Sequence, residues 1–193
     1  TLIDLDMVAE SNTNRQLHAL GDEYGKAKVE AMASRVLAIN PNCVVRCIED
    51  FVTPENTATL LNQGFDMVID AIDQVKSKIA MLAWCRAQGV PIITVGAAGG
   101  KLDPNQIEVA DLAVAEQDPL LSKIRSHLRR HHQLPRAPKK SGITCVFSRE
   151  AMRYPNTTNA TNAANQNHSR ALTGGDGHPT PHAAATPTAP QGL

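Results

Sequence analysis

Short apolar runs alternate with stretches of helical periodicity through the first hundred residues, and that order leaves few folds open. Val29, Met32, Ala33, Val36 and Leu37 keep the i, i+3, i+4, i+7, i+8 spacing of one helix face, and Pro41 ends the stretch. The spacing predicts a helix over residues 26–40. "CVVRCIED" (43–50), "FDMVIDAID" (65–73) and "VPIITVGAA" (90–98) are short and rich in β-branched residues, so they read as strands. Residues 1–6 read as the end of another. Helices are expected between them over 54–63, capped by Thr53, and over 76–88. Strands joined by helical crossovers run parallel, because two antiparallel neighbours need only a tight turn. The expected fold is therefore α/β, a Rossmann-like, mostly parallel sheet with flanking helices.

The pattern changes after Gly99. Pro104-Asn105 marks a turn, and the alternating run behind it predicts a hairpin or an added antiparallel strand. Asp118-Pro119 places a capping carboxylate and a proline at a helix start. That helix would carry Leu120, Leu121, Ile124 and Leu128 on one side and basic residues on the others. Residues 142–148 read as a last strand. From 155 to 193 the chain is mostly Asn, Thr, Ala, Pro, Gly, Gln and His, with Leu172 and Leu193 as its large aliphatics. Such a segment buries too little apolar surface to offset its ordering entropy, so a disordered low-complexity tail is expected after a domain over 1–154.

Aromatic residues make up only 3% of the chain, so the core must be aliphatic. No apolar run approaches the roughly 18 residues that cross a bilayer, and no signal segment stands at the N-terminus, so a soluble, cytoplasmic protein is expected. Cys43, Cys47, Cys85 and Cys145 form no CxxC pair and read as reduced and mostly buried. The net charge of zero hides a basic stretch: Lys123, Arg125, Arg129, Arg130, Arg136, Lys139 and Lys140 occur with no acid among them. It is either a solvated helix face with a flexible loop or a surface that releases counterions from nucleic acid. His131-His132 reads as exposed polar filler.

Ligands of an open parallel sheet bind beyond the carboxyl ends of its strands. Three strand ends carry polar residues here: Asp4 with Asp6, Asp70 with Asp73, and "GAAGG" at 96–100. A carboxylate at a strand end can accept both hydroxyls of a ribose, which suits Asp4. Arg15 and Lys28 can neutralise phosphates, and Asp73 can hold magnesium. A nicotinamide-dependent oxidoreductase would also use Asp4, but it leaves the Asn12 to Arg15 cluster and Asp73 without a task.

"LIDLDMVAESNTNRQLHALGDEYGKAKVEAMASRVLAINP" resembles the nucleotide-binding segment of the ubiquitin-activating-like adenylating superfamily, which includes the adenylyltransferases of molybdopterin and thiamine biosynthesis. "VIDAIDQVKSK", "AAGGKLDPNQIEVADLA", "QDPLLSKIR" and "CVFSREAMRYP" are similar to stretches of its tRNA-modifying dehydratase branch, so the resemblance spans residues 1–155. It implies that Asp4 binds the ATP ribose, that Asn12, Arg15 and Lys28 hold the phosphates, and that Asp73 lies by the phosphates and Mg2+. Arg15 and Asp73 become the expected catalytic residues. The implied reaction is ATP-dependent activation of a carboxylate on a threonylcarbamoyl-modified adenosine beside the tRNA anticodon, followed by ring closure with loss of water. Implied partners are tRNA, which the basic stretch would contact, a second copy in a homodimer, and a sulfur-transfer or acceptor protein.

The departures carry expectations too. The superfamily's first strand and its GxGGVGS-type glycine loop belong before Leu2, so the chain reads as a partial domain with an exposed apolar sheet edge. Past Tyr154 the branch continues with a Cys-containing, glycine-rich segment that the tail does not match. The alternative to an enzyme is an inactive tRNA- or partner-binding remnant of the same family, with another adenylyltransferase as a further option. Absent CxxC pairs fit the dehydratase better than its zinc-bearing sisters. "GAAGG" is expected to form a tight turn that lets backbone approach substrate.

Overall fold

The computed structural model describes residues 1–153, which form one compact unit. The predicted tail lies outside the described residues. Ten regular elements follow one another: β1 (Leu2–Ile3), α1 (Lys28–Ile39), β2 (Cys47–Ile48), α2 (Thr57–Leu61), β3 (Val68–Asp70), α3 (Val75–Gln88), β4 (Ile92–Val95), β5 (Ile107–Asp111), α4 (Pro119–His131) and β6 (Thr144–Ser148). The predicted strand–helix order is present, with shorter strands than the apolar runs suggested. Hydrophobicity marks what is buried, whereas a strand lasts only as long as a neighbour accepts its hydrogen bonds.

Two sheets form among the described residues. β1 pairs β2 in parallel, and the second sheet has the order β3-β4-β6-β5. Within it β3, β4 and β6 run parallel, while β5 is antiparallel to β6 with Val109 opposite Val146. The predicted added antiparallel strand is therefore β5, entered through a single turn of tight helix at Pro104–Gln106. β3 is an edge strand, and Met67 and Ile69 are exposed there.

Register and strand pleat divide the four-stranded sheet into two unlike faces. Val68, Ile92, Cys145 and Phe147 point to one face and meet Ile79, Leu82 and Cys85 of α3 and Leu121, Ile124 and Leu128 of α4. This aliphatic core is the main apolar cluster. The other face carries Ile69, Ile93, Val95, Val146, Val109 and Ile107, and no described helix covers it, leaving Ile69 70% exposed. The flanking helices of this sheet are thus on one side.

The local signals explain the element ends. Asp118 Oδ1 accepts the Leu121 N–H at 2.9 Å and Pro119 opens α4, as its sequence predicted. Gly89 closes α3 in the left-handed conformation at φ +70°. Thr53 and Asn56 exchange backbone and side-chain hydrogen bonds, at 2.7 and 3.3 Å, which close a turn ahead of the helix, so α2 begins at Thr57, later than expected, with Asn56 and not the predicted Thr53 at its cap position. Two expectations need correction. The predicted stripe of α1 is only partly buried, and Leu37 is exposed, because the two-residue strands β1 and β2 offer little surface to cover it. Cys85 and Cys145 are buried, but Cys43 is half-buried and Cys47 exposed, since Cys47 lies in the small sheet and Cys43 in the segment leading to it. Among the described residues no helix is long and apolar enough to cross a membrane.

Candidate nucleotide site

A cavity of about 730 Å³ opens where β1 and β4 end and the β3–α3 turn begins. Its lining includes Asp4, Asn12, Arg15, Lys28 and Asp73, all five residues singled out for a nucleotide. Phe51, Val52 and Ile72 add apolar wall, and residues 96–99 form one rim. A site at the carboxyl ends of parallel strands follows from topology, since every crossover delivers a loop there.

Each polar side chain is held by its own segment. Asp4 Oδ1 accepts the Asp6 N–H at 2.8 Å, turning the chain sharply as β1 ends. Lys28 opens α1; its Nζ pairs Asp6 Oδ2 at 2.7 Å and its N–H donates to the Asp6 carbonyl at 2.9 Å. Lys28 is thus fixed near Asp4 by a carboxylate to which the sequence had assigned no partner. Asn12 is buried and accepts the Ala9 N–H, closing the short helical turn Glu10–Asn12. Arg15 is exposed and spends part of its guanidinium on the Ser11 carbonyl and Asn14 Oδ1, at 2.8 and 2.9 Å. His18 has both ring nitrogens unpartnered, and burial together with the Lys28 cation lowers its pKa from the ordinary value. Asp73 stands exposed at the turn into α3.

Below that turn lies an ion pair that the sequence reading missed. Lys78 is 0% exposed; its Nζ meets Asp70 Oδ2 at 2.9 Å and donates to the Ile72 carbonyl at 2.8 Å. Asp70 also accepts the Thr94 hydroxyl at 2.7 Å and the Ile72 N–H at 3.2 Å. The group binds β3, β4 and α3 together and sets the backbone from which Asp73 projects. A signal was present: Lys78 falls on the helix face that also carries Leu82 and Cys85, where a lysine stays only if paired.

The glycine-rich segment is shaped by the protein itself. Asp118 Oδ2 accepts the Ala97 N–H at 2.8 Å, so one carboxylate caps α4 and anchors the loop. A β-carbon at Gly96 would collide with that carboxylate, and one at Gly100, where φ is +72°, would lie 2.6 Å from the Arg153 carbonyl oxygen. The close approaches at these two glycines are to side chain and backbone of this chain.

The basic stretch separates into two kinds of residue. Arg125 donates to the carbonyls of Leu112 and Ala115, and Arg129 to that of Ala113, so both are half-buried braces between α4 and the segment after β5. Lys123, Arg130, Arg136, Lys139 and Lys140 are exposed, as are His131 and His132.

The model of the ThiF family matches residues 1–169. The chain belongs to the ThiF family. Among ThiF-family relatives it is 51% identical over 156 residues to tRNA threonylcarbamoyladenosine dehydratase of Escherichia coli (strain K12), covering 80% of this chain and 58% of that protein. The Haemophilus influenzae protein of the same name is 48% identical over 159 residues, covering 82% and 61%. The E. coli TcdA crystal structure in complex with ATP superposes with a TM-score of 0.76 at 42% identity, covering 87% of this chain and 76% of that one. The chain thus spans about three fifths of the length of the curated relatives it matches.

Proposed function

We propose that this chain carries the nucleotide site of an ATP-dependent tRNA threonylcarbamoyladenosine dehydratase. The observation that supports this most is the gathering of Asp4, Asn12, Arg15, Lys28 and Asp73, drawn from four separate segments, around one cavity. In this reading Asp4 accepts the ribose hydroxyls of ATP, and the apolar patch of Phe51, Val52 and Ile72 takes its base. Asn12, Arg15 and Lys28 surround the phosphates, where Arg15 and Lys28 offset the charge that develops as pyrophosphate leaves. ATP supplies activation of the substrate carboxylate, and the activated group then closes a ring with loss of water. Among the described residues no three potential metal ligands cluster. One carboxylate together with phosphate oxygens is a usual magnesium environment, and Asp73 fits that role as the protein ligand.

The exposed members of the basic stretch, Lys123, Arg130, Arg136, Lys139 and Lys140, would meet the tRNA backbone, with Arg125 and Arg129 holding the helix that presents them. The reading extends to a cytoplasmic homodimer and to exchange with a sulfur-transfer or acceptor protein, as the dehydratase resemblance implies. Calorimetry of ATP with Mg2+ tests the core of it. Saturable binding is expected, weakened on the order of 10- to 100-fold in Asp73→Ala, since a hydrogen bond or ligand contact to a charged group contributes about 1.5–3 kcal/mol. Asp73 is exposed, so the variant leaves the fold intact. A folded chain that binds no ATP would replace the enzyme reading with that of a tRNA-binding remnant.

A further inference from the structure

A second cavity, of about 440 Å³, adjoins the first. Val95, Val146 and Ile107 line it, all on the sheet face that no described helix covers, and Leu102 and Pro104 form its rim. The two cavities share residues 95–98, a wall built of Val, Gly, Ala and Ala. Three of that wall's four side chains are no larger than a methyl group. It is also fixed, because Gly96 N–H donates to the Val146 carbonyl at 2.8 Å and Ala97 N–H to Asp118.

The opposite wall is equally preformed. Glu150 is buried and accepts the N–H groups of Leu102 and Asp103 at 2.7 and 2.9 Å. Lys101 donates to the carbonyls of Gln117 and Glu150, while Asp103 accepts from Asn105 and Gln106. Most of the hydrogen-bonding capacity of these charged groups is therefore spent inside the protein, and the second Glu150 oxygen, without a hydrogen-bond partner, lies 3.2 Å from Arg153 Nε. What faces the space is mainly apolar, and Leu102, on the tied-down loop, and Ile107, at the start of β5, stay 70% and 58% exposed. A preformed apolar concavity suits a flat, uncharged ring and offers nothing to phosphate or metal.

We propose that this cavity receives the adenine ring of the modified tRNA nucleotide, so that the carboxylate on its N6 substituent crosses the 95–98 wall to reach ATP in the first cavity. The proposal rests on the dehydratase reading. A base in an RNA loop is reached by splaying it out onto an apolar or aromatic surface. The carboxylate that must react lies several bonds from the ring, so ring and reacting group need adjacent compartments with a thin partition. The 95–98 segment is such a partition, and its Gly and Ala residues at 96–98 carry little side chain into either cavity.

The test uses the full chain loaded with Mg2+ and a non-hydrolysable ATP analogue, into which the free nucleoside N6-threonylcarbamoyladenosine is titrated. Leu102→Asp and Ile107→Asp place a carboxylate at exposed positions, so the fold persists, as thermal unfolding will verify. The expected result is analogue affinity within about twofold of the parent, with nucleoside affinity at least about tenfold weaker, because the ring would desolvate the new charge. Ile107→Leu, which keeps the position apolar, is expected to retain nucleoside binding. Unchanged nucleoside affinity in both Asp variants would overturn the proposal and leave the dehydratase reading standing. So would variants that turn a dimer into a monomer at unaltered nucleoside affinity, since the face would then seat a second copy. A parent chain that binds the analogue but not the nucleoside also overturns it, and one that does not bind the analogue overturns both.

Discussion

Lys78 shows how a single side chain carries structure and site together. Its charge is wholly inside the protein, so its value depends on Asp70 remaining opposite it. Lys78→Met would leave the Asp70 carboxylate buried and unpaired, a change that costs about 3–5 kcal/mol, read as a lower urea midpoint. The double variant Lys78→Met with Asp70→Leu removes both charges and is expected to be more stable than the single one. A neutral single variant would mean that water reaches Asp70. Nothing at this scale follows from residue type alone. Asp70 and Asp73 look alike in "VIDAID", yet one points into the sheet and the other into the cavity. Strand alternation placed Asp70 inside, and the turn after it released Asp73.

At the scale of elements, the junction between α4 and the loop after β4 depends on Asp118. The carboxylate serves two N–H groups, Leu121 within the helix and Ala97 across to the loop. Asp118→Ala is therefore expected to cost more than an ordinary cap: about 1 kcal/mol for the helix start, and about 1–3 kcal/mol for the unpaired loop N–H. Asp118→Asn keeps a single acceptor oxygen and should fall between. Gly96→Ala pushes the same carboxylate away and should lose stability and ATP affinity together. Thermal unfolding and ATP titration of the three variants check this, and an Asp118→Ala loss no larger than an isolated cap would argue against the second bond. The helix start was plain in Asp-Pro, whereas the second partner, 21 residues earlier, had no local signature.

For the whole molecule, neutrality conceals polarity. The basic residues of α4 and the loop behind it are balanced by acids elsewhere, several of them around the candidate nucleotide cavity. If tRNA binds this surface, removing two exposed charges with Arg130→Gln and Lys139→Gln should weaken binding and flatten the dependence of log affinity on log salt by roughly 1.5. Arg125→Gln should act instead on stability, because its guanidinium braces backbone carbonyls. Equal salt slopes in parent and double variant would move the RNA surface elsewhere.

The sequence by itself determined the α/β class, the start of α4 at Asp118-Pro119, the antiparallel addition after Pro104, and a set of polar residues that the fold brings around one cavity. These were legible because they depend on local periodicity, on turn chemistry and on strand ends, and because the ThiF-family motifs are contiguous. Only the tertiary structure decided how far each strand extends, which helix faces find cover, and that the four-stranded sheet has its described helices on one side. It alone paired Lys78 with Asp70, gave Asp118 a second partner, and set an apolar cavity beside a polar one. Hydrogen-bond partners distant in the chain and the surface left after packing are properties of the assembled fold, so no stretch of sequence read alone contains them.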